Sequence, residues 1–106
     1  MSRHLRSSSV HFEQINQAAR SCLAALLLRW LPDGRRQGRD WVARNPLRAD
    51  RSPGSFRIDI QTGKWVDFAT GDRGGDPVSL AAYLFGMSQS EAASHLRAML
   101  GMGGDV

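Results

Sequence analysis

Cysteine is almost missing: the 106 residues hold one, Cys22. A single thiol excludes an intramolecular disulfide framework and any multi-cysteine zinc site. Long apolar runs are missing too. The longest uninterrupted one, Cys22 to Leu28, covers seven residues, against the roughly 20 that a membrane-spanning helix needs. The start is basic (Arg3, Arg6), but the apolar run comes late and ends at Arg29-Trp30 with no small-residue cleavage pattern. No secretory signal is expected, and the chain reads as cytoplasmic. Lysine is the third scarcity: of 14 basic residues, 13 are arginine. Arginine binds phosphate through a planar bidentate fork, where lysine is a point charge.

The rest of the composition is ordinary, with 42% hydrophobic and 23% charged residues, which argues against wholesale disorder. The length suits one domain that buries about 60–65% of its unfolded surface. Charge is unevenly spread along the chain. Residues 1–28 carry +2, residues 29–57 carry eight arginines against three aspartates for +5, and residues 58–106 carry −3. A basic middle third points first to a polyanion partner.

Residues 1–9, polar with a serine run, read as a flexible lead-in containing His4. From Phe12 a helical period begins: Phe12, Ile15, Ala19, Cys22, Leu26 and Trp30 recur at three- and four-residue steps until Pro32-Asp33-Gly34 stops them. Cys22 falls on this apolar stripe, where a buried inert thiol is expected. Gly34 to Gly38 reads as a basic turn, Arg39 to Arg44 as a short strand, and Asn45 to Gly54, with two prolines, as a loop. Ser55 to Ile60 alternates strictly, with Phe56, Ile58 and Ile60 on one face. Gln61-Thr62-Gly63 turns the chain, and Lys64 to Phe68 returns as the second strand of a hairpin. Thr70 to Gly75 is a glycine-rich loop. Asp76-Pro77 caps and opens a helix that Gly86 stops. Ser88-Gln89-Ser90-Glu91 is a capping box for the next helix, which runs to about Leu100; residues 102–106 are expected to fray. The expected fold is α+β: one N-terminal helix, a small three-stranded antiparallel sheet, and two C-terminal helices, in a single domain over residues 10–101.

Catalytic signatures are lacking. No nucleophile elbow is present, and His95 falls within a helix with no partner motif. Asp67, Asp72 and Asp76 surround the glycine loop and have the right type for Mg²⁺. Asp76 is better explained as a cap, and Asp72 as a turn residue beside Arg73. Thr70-Gly71-Asp72-Arg73-Gly74-Gly75-Asp76 is not a Walker motif, because it lacks Gly-Lys-Ser/Thr and its acids repel phosphate. Close packing of hairpin onto helix explains the glycines better. No enzyme, cofactor or metal is expected.

The stronger constellation is arginine interleaved with aromatics. Arg35, Arg36, Arg39, Arg44, Arg48, Arg51 and Arg57 lie close in sequence to Trp41 and Phe56, and Lys64 and Trp65 follow on the hairpin. Basic side chains track a phosphate backbone while exposed rings stack on unpaired bases. Single-stranded nucleic acid fits better than duplex, since no helix has the look of a basic recognition helix. The expected binding set is Arg35, Arg36, Arg39, Arg44, Arg48, Arg51, Arg57, Lys64 and Trp65. In so small a domain most of Trp41, Phe56 and Trp65 must be core, with Phe56 buried and at most one of the tryptophans exposed.

The string Asn45-Pro46-Leu47-Arg48-Ala49-Asp50-Arg51-Ser52-Pro53-Gly54-Ser55-Phe56 resembles the Cys-Pro-x-His-x-Asp/Glu-x-x-Pro-Ser-Phe segment of the N-terminal zinc-binding domain of bacterial replicative primases and of phage and plasmid primase–helicases. Trp65 to Asp76 is similar to the segment with that family's second ligand pair, which also ends in Gly-Gly-Asp. The step from Gly86 to Ala92 matches as well, so the likeness covers about Phe12 to Gly101. The resemblance implies a zinc-ribbon-like sheet and a non-catalytic module that engages single-stranded template (DNA first, RNA also open) for a replication protein of a mobile element. The family's metal ligands fall near Asn45, Arg48, Phe68 and Gly71, none a thiolate or imidazole, so a zinc-free ribbon is expected. In place of the metal, packing of Trp65 and Phe68 is expected, with a hydrogen bond from Arg48 to Asp50 or Asp67. The family's catalytic domain has no counterpart here, which suggests a freestanding accessory protein or a leader domain. The competing expectation is a module that docks onto a primase, helicase or polymerase through its acidic C-terminal helices without touching DNA. The arginines discriminate: a shared exposed face favours nucleic acid, and pairing with Asp40, Asp50, Asp59 and Asp67 disfavours it.

Overall fold

Four helices and a five-stranded sheet make up the described part of the chain, residues 12–48 and 54–102 of a computed structural model. The expected N-terminal helix is present but broken. Helix α1 covers residues 12–20 and α2 covers Leu23–Trp30. At the break the Ser21 hydroxyl donates to the Ala18 carbonyl at 2.6 Å, and Cys22 donates its backbone N–H to Ala19. A serine that back-bonds to the preceding turn competes with helix propagation, so the apolar stripe continues across two helices. Ile15, Ala19, Leu23, Leu26 and Leu27 are buried along it. Cys22 is half-buried, its thiol directed at the Ala18 carbonyl.

The sheet is an antiparallel meander in the order β1 (Arg35–Gln37), β2 (Asp40–Ala43), β3 (Phe56–Asp59), β4 (Trp65–Asp67) and β5 (Arg73–Gly74). The α+β class stands, but the sheet has five strands where three were expected. The two additional ones are its edges. Arg35–Gln37, expected as a turn, is a strand because Gly38 (φ +61°) and Arg39 form the two-residue connection to β2. A positive φ at the first central position is what type II′ hairpin turns require. Arg73–Gly74, expected as loop, pairs with β4. A Cβ on Gly74 would collide with the indole nitrogen of Trp65 and the hydroxyl of Ser79, so glycine lets this edge lie against the next helix.

Helices α3 (Pro77–Phe85) and α4 (Gln89–Met99) begin where the cap signals place them. Asp76 and Ser79 form a reciprocal capping box with Pro77 at the first turn, and Gly86 closes α3 in the left-handed conformation at φ 63°. Ser88 and Glu91 form the second box. The buried Asn16 ties α1 to α3: its Oδ1 accepts the Val78 backbone N–H at 2.8 Å, one of the donors that a helix start leaves unsatisfied. Met102 donates its N–H to the Arg97 carbonyl and packs on the core. The proposed flexible lead-in, residues 1–9, lies outside the described residues, as do residues 103–106.

The helices cover one face of the sheet. Phe56, Ile58 and Trp65 join the helical leucines, Val78 and Leu80 in a single core. Trp65 stacks tilted on Tyr83 with ring centroids 4.5 Å apart, and its indole N–H reaches the Ser79 hydroxyl at 3.0 Å. At the turn before β4, Gly63 has φ +83°, and a Cβ there would stand 2.5 Å from Pro77 Cδ. Gly63→Ala therefore combines left-handed strain with a clash at the start of α3. The expected cost is about 2–4 kcal/mol, read as a lowered midpoint in thermal unfolding; an unchanged midpoint would show that the hairpin does not seat on Pro77. No helix among the described residues is long and apolar enough to cross a membrane.

Candidate nucleic-acid interface

Antiparallel partners share a face, so the pairing register assigns each strand residue to a side. Trp41, Ile58 and Trp65 pair in sequence on the helix side, as do Ala43, Phe56 and Asp67. The opposite face carries one row through all five strands: Arg35, Val42, Arg57, Val66 and Arg73. Three arginines thus alternate with two valines, on alternate strands. Adjacent strands lie ~4.8 Å apart, which separates successive arginines of the row by ~10 Å. Val42 is buried although it lies on this outer face. Arg35 and Arg57 flank it in the row, and long arginine stems are suited to cover such a residue.

Along part of the row runs a shallow groove lined by Arg57, Lys64, Trp65, Val66, Phe68 and Arg73, with Asp40 and Asp59 along it. Among the described residues Phe68 is the most exposed of the large apolar side chains, at 68%. The two aspartates do not stand free. Arg57 Nη1 is 3.2 Å from Asp40 Oδ2, and Arg39 Nη2 is 2.8 Å from Asp59 Oδ2. Arg35, Arg36 and Arg44 form no ion pair among the described residues.

The expected binding set divides. Arg35 and Arg57 are in the outer row, Lys64 is exposed beside it, and Arg39 sits in the turn at its margin. Arg36 is exposed on the edge strand but pairs with Trp41, hence leans to the other side, and its Nε donates to the Gly38 carbonyl. Arg44 is exposed and lines a different recess with Trp30, Pro46 and Arg48. Arg51 lies outside the described residues. Arg48 and Trp65 are placed on the helix side of the sheet. Arg48 is held by Asp67, and Trp65 is only 5% exposed, so its ring offers no face to a base.

Trp65 supplies the packing expected of it and Phe68 does not, because the hairpin turn is one residue longer than the three residues Gln61 to Gly63. Asp59 and Lys64 close it, with the Asp59 N–H donating to the Lys64 carbonyl at 2.7 Å. Asp59 Oδ1 accepts the backbone N–H groups of Gln61 and Thr62, an Asx-type turn. A one-residue change of register moves every side chain of the return strand to the other face. Trp65 turns in, and Lys64, Val66 and Phe68 turn out. Phe68 therefore does not supply the packing expected of it. Phe68, Val66 and Arg73 are the candidate residues of this face that sequence reasoning missed. Asp59 two residues before Gln61-Thr62-Gly63 was the signal available for the register.

On the other side of the sheet, at its Ala43–Phe56 end, a polar network fills the space between the Asn45–Arg48 loop, β4 and α3. Arg48 donates to Asp67 through Nε (2.9 Å to Oδ2) and Nη2 (3.1 Å to Oδ1), a bidentate fork. Asn45 Nδ2 donates to Asp67 Oδ2 and to the Tyr83 hydroxyl, both at 2.8 Å. The Ala69 N–H donates to Asp67 Oδ1, Arg48 Nη2 to the Ser55 hydroxyl, and the Tyr83 hydroxyl to Asp72 Oδ2. Asp67 is fully buried and Asn45 nearly so. The Arg48 hydrogen bonds hold the Asp67 carboxyl well below the usual carboxylate range, outweighing burial, with Asn45 and Ala69 adding to them. Burial first, then the hydrogen bond to Asp72 and the charges of Asp72 and Asp67, push the Tyr83 hydroxyl up against the opposing Asn45 hydrogen bond. The expected Arg48–carboxylate bond is thus made to Asp67; Asp50 lies outside the described residues. Among the described residues no buried side-chain nitrogen or oxygen lacks a hydrogen-bond partner, an arrangement that favours rigidity.

Asp76 serves as a helix cap, and His95 is exposed on α4. Among the described residues no three His, Cys, Asp or Glu side chains converge to hold a metal ion. No family model matches this sequence, and no curated protein matches it.

Proposed function

We propose that this chain is a non-catalytic module that binds single-stranded nucleic acid, DNA first, on the outer face of its sheet, for the replication machinery of a mobile element. The observation that carries this is the row Arg35–Val42–Arg57–Val66–Arg73 with Phe68 exposed beside it. Arginines spaced along a solvent face suit a phosphate backbone, and an exposed ring suits an unpaired base. No helix among the described residues carries more than one arginine, so none has the basic face that a recognition helix lays in a duplex groove.

The likeness to primase zinc-binding domains supports the replication setting. Two of the positions at which that family carries metal ligands, Asn45 and Arg48, belong to the Asp67 network. We read the network as the structural substitute for a metal. Arg39, Arg48 and Arg57 pair with Asp59, Asp67 and Asp40, and Arg35, Arg36 and Arg44 do not share one face; both count against nucleic acid by the discriminator set from the sequence, so the reading rests on the outer-face row alone.

A second reading has its own observation. An apolar groove between α2, α3 and α4 is lined by Trp30, Phe85, Met87 and Met99, and Phe85 is 51% exposed. It favours docking onto a primase, helicase or polymerase. Fluorescence anisotropy with a labelled single-stranded oligonucleotide, a duplex control and two salt concentrations separates the two. Salt-sensitive binding that prefers the single strand is expected. Absence of binding at low salt would leave docking as the function.

A further inference from the structure

We infer that Asp40 and Asp59 are built-in competitors for the arginines of the outer sheet face, so that nucleic acid binds in competition with them. The inference rests on the reading of that face as the nucleic-acid interface. Asp40 and Asp59 are direct cross-strand partners on β2 and β3. Like charges in that position destabilise a sheet, so the pair calls for an explanation beyond folding. Asp59 has a structural task, since it accepts two backbone N–H groups of the hairpin turn. Asp40 has none: among the described residues its carboxylate meets only Arg57, at 3.2 Å, with both side chains about one-third exposed.

The contact on Arg57 engages one of its terminal nitrogens, while Nε donates to the Gly54 carbonyl at 3.3 Å. A phosphate that takes the Nη1 edge of the guanidinium as a fork therefore competes with Asp40 for it. Once bound there, it leaves Asp40 uncompensated opposite Asp59, where Arg39 is the one cation still paired. Each aspartate thus lowers affinity twice, by occupying an arginine beforehand and by repelling both its neighbour and the phosphate afterwards. The device keeps a cationic surface from holding polyanions indiscriminately and favours ligands that engage several arginines of the row at once.

The test is Asp40→Asn, titrated with fluorescein-labelled oligo-dT of 12 nucleotides at about 50 mM salt, beside the unaltered chain. Glu13→Gln makes the same change of net charge on α1, whose helix layer covers the opposite side of the sheet. Asp40→Asn is expected to bind about three- to tenfold more tightly, with Glu13→Gln within twofold of the unaltered chain. Adding Arg57→Gln to Asp40→Asn is expected to remove the gain. If the unaltered chain binds and Asp40→Asn binds equally or more weakly, the competitor role is wrong while the interface stands. An equal gain in Glu13→Gln overturns it too, since net charge alone would then account for the effect. If neither the unaltered chain nor Asp40→Asn binds even at 10 mM salt, the interface itself is wrong.

Discussion

Arg48→Ala is expected to lower stability by about 3–5 kcal/mol, because it leaves a fully buried carboxylate without its counterion. For a domain of this size that is a fall of about 10–20 °C or more in melting temperature. The magnitude follows from the asymmetry of buried pairs. The pair itself contributes little net stability, whereas removal of one partner exposes the full desolvation cost of the other. Arg48→Lys keeps the charge but cannot form the two-pronged contact with Asp67 or reach Ser55 at the same time, so an intermediate loss is expected. Asp67→Ala strands an arginine that is 31% exposed, which can turn to water, so its loss should be smaller than that of Arg48→Ala. The double variant should lose less than the sum of the two, as residues of one network do. An Arg48→Ala protein with an unchanged melting temperature would remove the network from the list of what holds the fold.

The same network sets an acid limit. The folded Asp67 carboxyl is held far below its unfolded value near 3.9. As pH falls below about 4 the unfolded chain takes up the proton first, and the stabilisation drains away. Above about pH 5 it is fully present. Asp67→Asn should therefore flatten the dependence of unfolding free energy on pH between about 5 and 3, measured by urea titration at each pH.

The largest expected effect on binding belongs to the arginine row. Replacing Arg35, Arg57 and Arg73 together with glutamine keeps the aliphatic stems that flank Val42 and Val66 and removes three positive charges. Each arginine–phosphate contact on a single strand contributes about 0.7 to the slope of log affinity against log salt. The triple variant should lose about two units of that slope and about 100-fold in affinity at low salt. Arg36→Gln and Arg44→Gln, which lie off the row, should each change affinity by no more than about threefold. Equal losses at every arginine would mean that binding responds to total charge and not to the sheet face.

The helical half of the fold was legible because its boundaries are written in side-chain chemistry. Asp76-Pro77, Ser88 with Glu91, and Gly86 act on backbone groups within one turn of themselves. The central hairpin was legible from the alternation of Phe56, Ile58 and Ile60. The edge strands were not, because periodicity reports burial, and Arg35–Gln37 is exposed throughout while β5 has two residues. The break after α1 lay inside an unbroken apolar stripe, where only Ser21 marked it. Arg48 and Asp67 could be proposed as partners from charge and from the expected loss of metal. The candidate interface needed more than that. Its residues depend on the register of β4, which a single turn residue decides, and a carboxylate four residues before the end of the turn was the deciding group.

Chemical-shift mapping tests the central claim most directly. The ¹⁵N-labelled chain is titrated with a 12-nucleotide oligo-dT and its amide resonances are followed. The largest shifts are expected at Arg35, Val42, Arg57, Val66, Phe68 and Arg73, with α3 and α4 nearly unmoved. Shifts centred on Trp30, Phe85 and Met99 with the sheet face silent, or no shifts at all, would contradict nucleic-acid binding by the outer face of the sheet.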